Sequence, residues 1–100
     1  MSTIFFQLLL GFGKQLAISE TPLLAQLGLA IVSLATTGIE ILADTTMSLA
    51  QKSQNWSNEW DSLKLIMDRC IQEGQAIPGE LFSVLTALAG TEVKSALGIQ

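Results

Sequence analysis

The chain contains no histidine, and this absence excludes several kinds of chemistry. Catalytic triads with an imidazole base, histidine general acids and imidazole metal ligands all require that side chain. A carboxylate-bridged metal pair in a helical bundle normally uses a Glu-x-x-His element, which cannot exist here. We therefore expect no catalytic residue, no metal site and no cofactor site, and predict that the protein is not an enzyme.

Charged residues are also scarce, at 14% of the chain, and the net charge is −4. Globular proteins average about 25% charged residues. The five basic residues are scattered, so no basic stripe is available to neutralise phosphates, and we expect no nucleic-acid binding. Because 49% of the residues are apolar, some helix faces should be covered by partners or by lipid.

There is one cysteine and there are two prolines. Cys70 cannot form an internal disulfide, which excludes a disulfide-stapled scaffold, and its position on an apolar helix seam predicts a buried, inert thiol. Long segments with helical spacing between the prolines predict an all-α fold. A chain of 100 residues is enough for a single helical domain that spans residues 1–100.

The sequence predicts a small bundle of about four helices with one long, mostly buried second helix. The expected elements in chain order are a first helix over 3–17, a second over 22–51, a polar turn over 52–57, a third helix that ends at Gly74, a fourth over 78–89 and a short tail helix over 91–97. Pro22 suits a first helical position, and Gly74 suits a left-handed helix end. Small residues of the second helix, including Gly28 and Gly38, should let neighbouring helices approach closely.

A narrow stripe of polar residues runs along the predicted second helix, whose other positions are mostly apolar. The stripe consists of Gln26, Ser33, Thr37, Glu40 and Asp44. Glu40 and Asp44 are one turn apart, where two like charges cost some helix stability unless they are solvated. The favoured interpretation is a solvent-facing edge, and the alternative is the lining of a water-filled lumen.

Large apolar residues are the candidates for contacts between subunits: Phe5, Phe6, Leu9, Phe12, Leu27, Leu34, Trp56 and Trp60. The first helix is apolar on most of its circumference, which is more than one neighbouring helix can cover. Tryptophan is enriched at binding hot spots and at membrane interfaces, although core packing is the favoured interpretation for Trp56 and Trp60.

These features predict a non-enzymatic helical subunit that self-associates or packs into a larger assembly, such as a filament, a virion or a secretion machine. The alternative is a small membrane-inserting or pore-forming protein with the polar stripe lining a lumen, because residues 21–39 carry no formal charge and approach the ~20 residues of a membrane span. A third hypothesis is a soluble adaptor that binds an amphipathic helix in an apolar groove.

Overall fold

The computed structural model describes residues 3–75 together with Ile77, Gly79 and Ser83. These residues contain three α-helices and no β-strand: α1 is Thr3–Ala17, α2 is Pro22–Ala43 and α3 is Leu49–Gln72. The predicted all-α class is confirmed. The predicted fourth helix over 78–89 and the tail helix over 91–97 lie outside the described residues, apart from Gly79 and Ser83.

α2 is the central helix and packs against both α1 and α3. The buried core consists of Phe6, Leu9, Leu23, Leu27, Ile31, Leu34, Ala35, Ile41, Trp56, Leu63 and Cys70. Six of these side chains belong to α2, from Leu23 to Ile41. α1 and α3 meet through the rings of Phe6 and Trp56, which pack edge to face with their centroids 6.2 Å apart. Such aromatic pairs contribute about 1 kcal/mol beyond the apolar area that they bury.

Glycines bring α1 and α2 into backbone contact. A Cβ atom on Gly13 would lie 2.9 Å from the Gly28 carbonyl oxygen and 2.9 Å from the Val32 backbone nitrogen. A Cβ atom on Gly28 would lie 2.6 Å from the Gly13 carbonyl oxygen and would collide with the backbone of Ala17. Only glycine fits at both positions. The close approach that the small residues predict is thus confirmed at Gly28.

The second glycine of α2, Gly38, contacts an aromatic ring. A Cβ atom on Gly38 would lie 2.6 Å from the ring of Phe6, so this ring rests directly on the α2 backbone. Because Phe6 pairs with Gly38 and Gly13 pairs with Gly28, α1 and α2 run antiparallel as a hairpin.

The prediction that α2 continues to Gln51 is wrong, because the helix ends at Ala43. Asp44 has extended backbone angles, φ −85° and ψ 124°. Its Oδ1 accepts hydrogen bonds from the Thr46 backbone nitrogen at 2.6 Å, the Thr46 hydroxyl at 2.7 Å and the Met47 nitrogen at 3.0 Å. An aspartate that bonds the following backbone in this way favours a turn over a further helical turn.

The prediction of a turn over residues 52–57 is also wrong, because these residues lie inside α3. Ser48 caps this helix: its hydroxyl accepts from the Gln51 nitrogen at 3.2 Å, and the Gln51 side chain accepts from the Ser48 nitrogen at 3.1 Å. This reciprocal capping box satisfies two helix-end groups and fixes the start of α3 at Leu49. The chain therefore reverses over residues 44–48.

The predicted seam of α3 faces α2. Trp56, Leu63 and Cys70 are buried, and Trp60 and Met67 are half-buried beside them. Gly74 ends the helix in the left-handed conformation, with φ +71°. The Gly74 nitrogen donates to the Ile71 carbonyl, and the Gln75 nitrogen to the Cys70 carbonyl, which is a Schellman motif. The predicted helix stop at Gly74 is confirmed.

We predict opposite effects of the same substitution at the two glycines of α1. Gly13→Ala should destabilise the fold by about 1–3 kcal/mol, because the added methyl group meets the α2 backbone. Gly11→Ala should stabilise it by up to about 1 kcal/mol, because a Cβ atom at Gly11 meets no atom of residues 3–75 within 4 Å and alanine is the better helix former. Urea titration followed by circular dichroism at low protein concentration measures both. Equal effects of the two substitutions would contradict the close α1–α2 contact.

The turn should make stability depend on acid pH. Hydrogen bonds from Thr46 and Met47, together with the charge of Lys52, lower the pKa of Asp44. A carboxyl group whose pKa is lower in the folded state stabilises the fold above its unfolded pKa of about 3.9, and this stabilisation is lost as the pH falls through the folded pKa. Asp44→Asn should therefore reduce stability at pH 7 and weaken its decline below pH 4.

Urea midpoints measured from pH 7 to pH 2 test this expectation, with Asp61→Asn on the exposed side of α3 as the control. An unchanged pH profile in Asp44→Asn would contradict the role assigned to the Asp44 carboxylate.

Candidate functional site

The side of α1 that faces away from α2 is a candidate interaction surface. Its residues recur at helical spacing, are exposed, and are here called the outer face of α1: Ile4, Gln7, Leu8, Gly11, Lys14, Gln15 and Ile18, which directly follows the helix. The opposite side holds Phe6, Leu9 and Gly13 against α2. The fold thus fixes which side of this nearly all-apolar helix is left outside.

Three large apolar side chains are exposed on the outer face of α1, beside the polar residues Gln7, Lys14 and Gln15. Ile4 is 62% exposed, Leu8 is 63% exposed and Ile18 is 83% exposed. Lys14 is the one charged residue of α1, whereas α3 carries six charged residues between Lys52 and Arg69. Leu65 of α3 is equally exposed, at 66%, but Asp61, Lys64 and the other polar residues of α3 surround it. Single exposed leucines are ordinary, whereas a face of them typifies an interaction site.

A shallow hollow lies in the middle of this face. Its volume is about 200 Å³, and Leu8, Gly11, Phe12 and Gln15 line it. Gly11 forms the floor of this hollow, because it has no side chain to fill the space above its backbone. In helix packing, hollows between four residues receive one side chain of a facing helix.

The eight residues predicted as interface contacts differ in burial. Five are buried in the core of the single chain, at 0–2% exposure: Phe6, Leu9, Leu27, Leu34 and Trp56. Phe5, Phe12 and Trp60 are half-buried at the edge of that core and remain partly accessible. The five core residues stabilise the fold itself, so a partner that docks on this fold meets other side chains.

The sequence-based interface residues did not include Ile4, Leu8 and Ile18. Their spacing of four and ten residues places them on one side of a helix, which is a detectable signal. The sequence alone does not show which side of α1 contacts α2. Gly11 and Gly13 both resemble glycines at helix contacts, but only Gly13 contacts α2.

The polar stripe of α2 is a solvent-facing edge of this chain. Gln26, Ser33 and Glu40 are exposed, and Thr37 is half-buried beside α3. The Ser33 hydroxyl donates to Glu59 Oε2 at 2.7 Å, which links the stripe to α3. Asp44 does not continue the stripe, because its carboxylate bonds Thr46 and Met47 in the turn.

A polar groove of about 240 Å³ follows the same edge, lined by Thr37, Glu40, Asn55, Asn58 and Glu59. Within the part of the chain that the structure describes, no group of three or more cysteine, aspartate or glutamate side chains is arranged to hold a metal ion. The groove is a polar surface between α2 and α3.

A wider cleft of about 570 Å³ opens where α2 begins and α3 ends. Residues of both helices line it: Thr21, Pro22, Leu23, Gln26, Arg69, Glu73 and Gln75. Arg69 and Glu73 are exposed and opposite in charge, so the cleft has no single electrostatic preference.

Cys70 lies beneath this cleft in the core, with an exposure of 0%. Its thiol points to the Leu23 carbonyl oxygen, with the sulfur 3.9 Å away. Burial raises the pKa of the Cys70 thiol, the charge of Glu73 raises it further, and Arg69 opposes the change. Nucleophilic thiols require a lowered pKa and access to solvent, and this thiol has neither.

We therefore predict that native Cys70 reacts with iodoacetamide at pH 8 at least ten times more slowly than glutathione, and reaches the ordinary thiol rate in denaturing urea. Mass spectrometry of quenched samples measures both rates. Rapid alkylation of the folded protein would contradict the buried position of this side chain.

No protein-family model, no curated protein and no solved structure matches this chain.

Proposed function

We propose that the protein is a non-enzymatic helical subunit and that its copies associate through the outer face of α1. The observation that carries this proposal is the exposure of Ile4 and Leu8 on a helix with a single charge, and of Ile18 directly after that helix. Each leucine or isoleucine contributes about 2 kcal/mol when it moves from water into a fully buried contact. A second copy supplies an apolar face of the same kind.

Two features support the proposal that protein, and not lipid, covers the outer face of α1. α1 has 15 residues and is about 22 Å long, which is shorter than the ~30 Å hydrocarbon core of a bilayer. The face also lacks the several lysines and arginines with which in-plane amphipathic helices border their apolar side.

Membrane insertion is the second candidate, because α2 is long and apolar enough to cross a bilayer, with 22 residues and a mean hydropathy of 1.6 over its most apolar stretch. In this fold, however, α1 and α3 pack against α2, and its outward side presents Gln26, Ser33 and Glu40 beside one large apolar residue, Leu29, which is 61% exposed. Lipid on that side would desolvate a carboxylate, which costs several kcal/mol. Insertion would thus require α3 to separate from α2.

The proposal is tested by placing a charge on the outer face of α1. Leu8→Lys should weaken self-association at least about tenfold, because it replaces an apolar contact with an ammonium group that must stay hydrated, while the helical content stays unchanged. The matched control is Leu65→Lys, which alters a leucine of nearly equal exposure among polar residues of α3 and should leave association unchanged. Sedimentation velocity from 1 to 100 µM protein measures association, and circular dichroism measures folding.

A wild-type protein that stays monomeric over this range without detergent would contradict the proposal. If the monomer instead binds an amphipathic peptide and Leu8→Lys prevents binding, the adaptor hypothesis replaces it. If the protein needs detergent and resists carbonate extraction, the membrane hypothesis replaces it.

A further inference from the structure

We infer that two copies pair their α1 helices antiparallel, around a two-fold axis that passes through Gly11. This inference rests on the proposed self-association and specifies its geometry.

The outer face of α1 carries the same residue types at two distances on either side of Gly11. Gln7 and Gln15 lie four residues away and Ile4 and Ile18 seven residues away, whereas the residues three positions away, Leu8 and Lys14, differ. In an antiparallel pair centred there, each residue that precedes Gly11 meets the residue equally far beyond Gly11 in the other copy. Ile4 then meets Ile18, apolar against apolar. Gln7 meets Gln15, and two amides can exchange hydrogen bonds. A two-fold contact requires one surface that is complementary to itself, and this order of residues supplies it.

The single charge of α1 selects the same orientation. Antiparallel pairing places Lys14 opposite Leu8 of the second copy, where the lysine stem can cover the leucine while the ammonium group stays in water. The two Lys14 positions are then six residues apart along the helices, about 9 Å. A parallel pair in register would place Lys14 directly beside its own copy, and like charges at an interface oppose binding.

Gly11 is otherwise unexplained. A glycine inside a helix costs about 1 kcal/mol relative to alanine, and none of the residues that the structure describes has an atom within 4 Å of a Cβ atom placed there. Glycine allows close helix contacts elsewhere in this fold, because Gly13 of α1 and Gly28 of α2 let the two backbones touch. On the axis, Gly11 meets Gly11 of the second copy, and the hollow beside Leu8 and Phe12 accommodates the crossing helix.

The test uses Gln7→Cys and Gln15→Cys, two substitutions at exposed positions. Each variant is oxidised with copper phenanthroline alone, and the two are also oxidised together after unfolding and refolding as a mixture. In the antiparallel pair, position 7 of one copy faces position 15 of the other, whereas two copies of position 7 are eight residues apart, about 12 Å. Disulfides need Cα atoms within about 7 Å of each other.

The mixture should therefore give at least about tenfold more cross-linked dimer than either variant alone. Wild-type protein, which retains buried Cys70, is the control and should give none. Circular dichroism and sedimentation of the reduced variants establish that they fold and associate as the wild type does.

The outcomes separate this inference from the proposed function. If the reduced proteins associate but each variant cross-links alone as readily as the mixture, the pairing is parallel and the inference is overturned while self-association stands. If they associate and no sample cross-links, a different surface is used and the inference is also overturned. If they stay monomeric, or bind phosphatidylcholine vesicles only as monomers, both the inference and the proposed function fail.

Discussion

The backbone contact between Gly13 and Gly28 is the constraint on which the rest of the structure depends. It brings α1 and α2 closer than any side chain would permit, and it fixes the rotation of α1 about its own axis. That rotation sends Phe6 and Leu9 into the core and leaves Ile4 and Leu8 outside. The candidate surface is thus a direct consequence of a glycine contact on the opposite side of the same helix.

The short turn over residues 44–48 decides where α3 lies. Asp44 ends α2 by bonding Thr46 and Met47, and Ser48 with Gln51 begins α3. Because the turn is only five residues long, α3 must return along α2, and its seam of Trp56, Leu63 and Cys70 completes the core from the other side. Polar side chains at the turn therefore control how the apolar surface of α2 is divided between its two neighbours.

Much of the fold was predictable because local signals were strong. Pro22 fixed the start of α2, the spacing of four and three residues gave the seam of α3, and Gly74 marked its end. The boundary between α2 and α3 was missed because Asp44 and Ser48 continue the helical stripe of polar residues as well as they form a turn. The Ser48-x-x-Gln51 spacing of a capping box was the signal that distinguishes the two.

The candidate surface was only partly predictable. The excess apolar area of α1 was evident from its composition, but the residues assigned to the interface included Phe6 and Leu9, which the fold places in the core. Burial depends on helix rotation, and rotation depends on a contact between residues that are fifteen positions apart, Gly13 and Gly28. When a helix is apolar on nearly every side, its own residues do not show which side is buried.

The central claim, that a second copy covers the outer face of α1, is tested most directly by isotope-filtered nuclear Overhauser spectroscopy on a mixture of labelled and unlabelled protein. Ile4 and Ile18 are about 20 Å apart along one chain, so a contact between their methyl groups can arise only between copies. The account predicts an intermolecular cross-peak between these methyl groups at high protein concentration. Methyl groups that show no such cross-peak and stay equally accessible to a soluble paramagnetic probe at every concentration would contradict it.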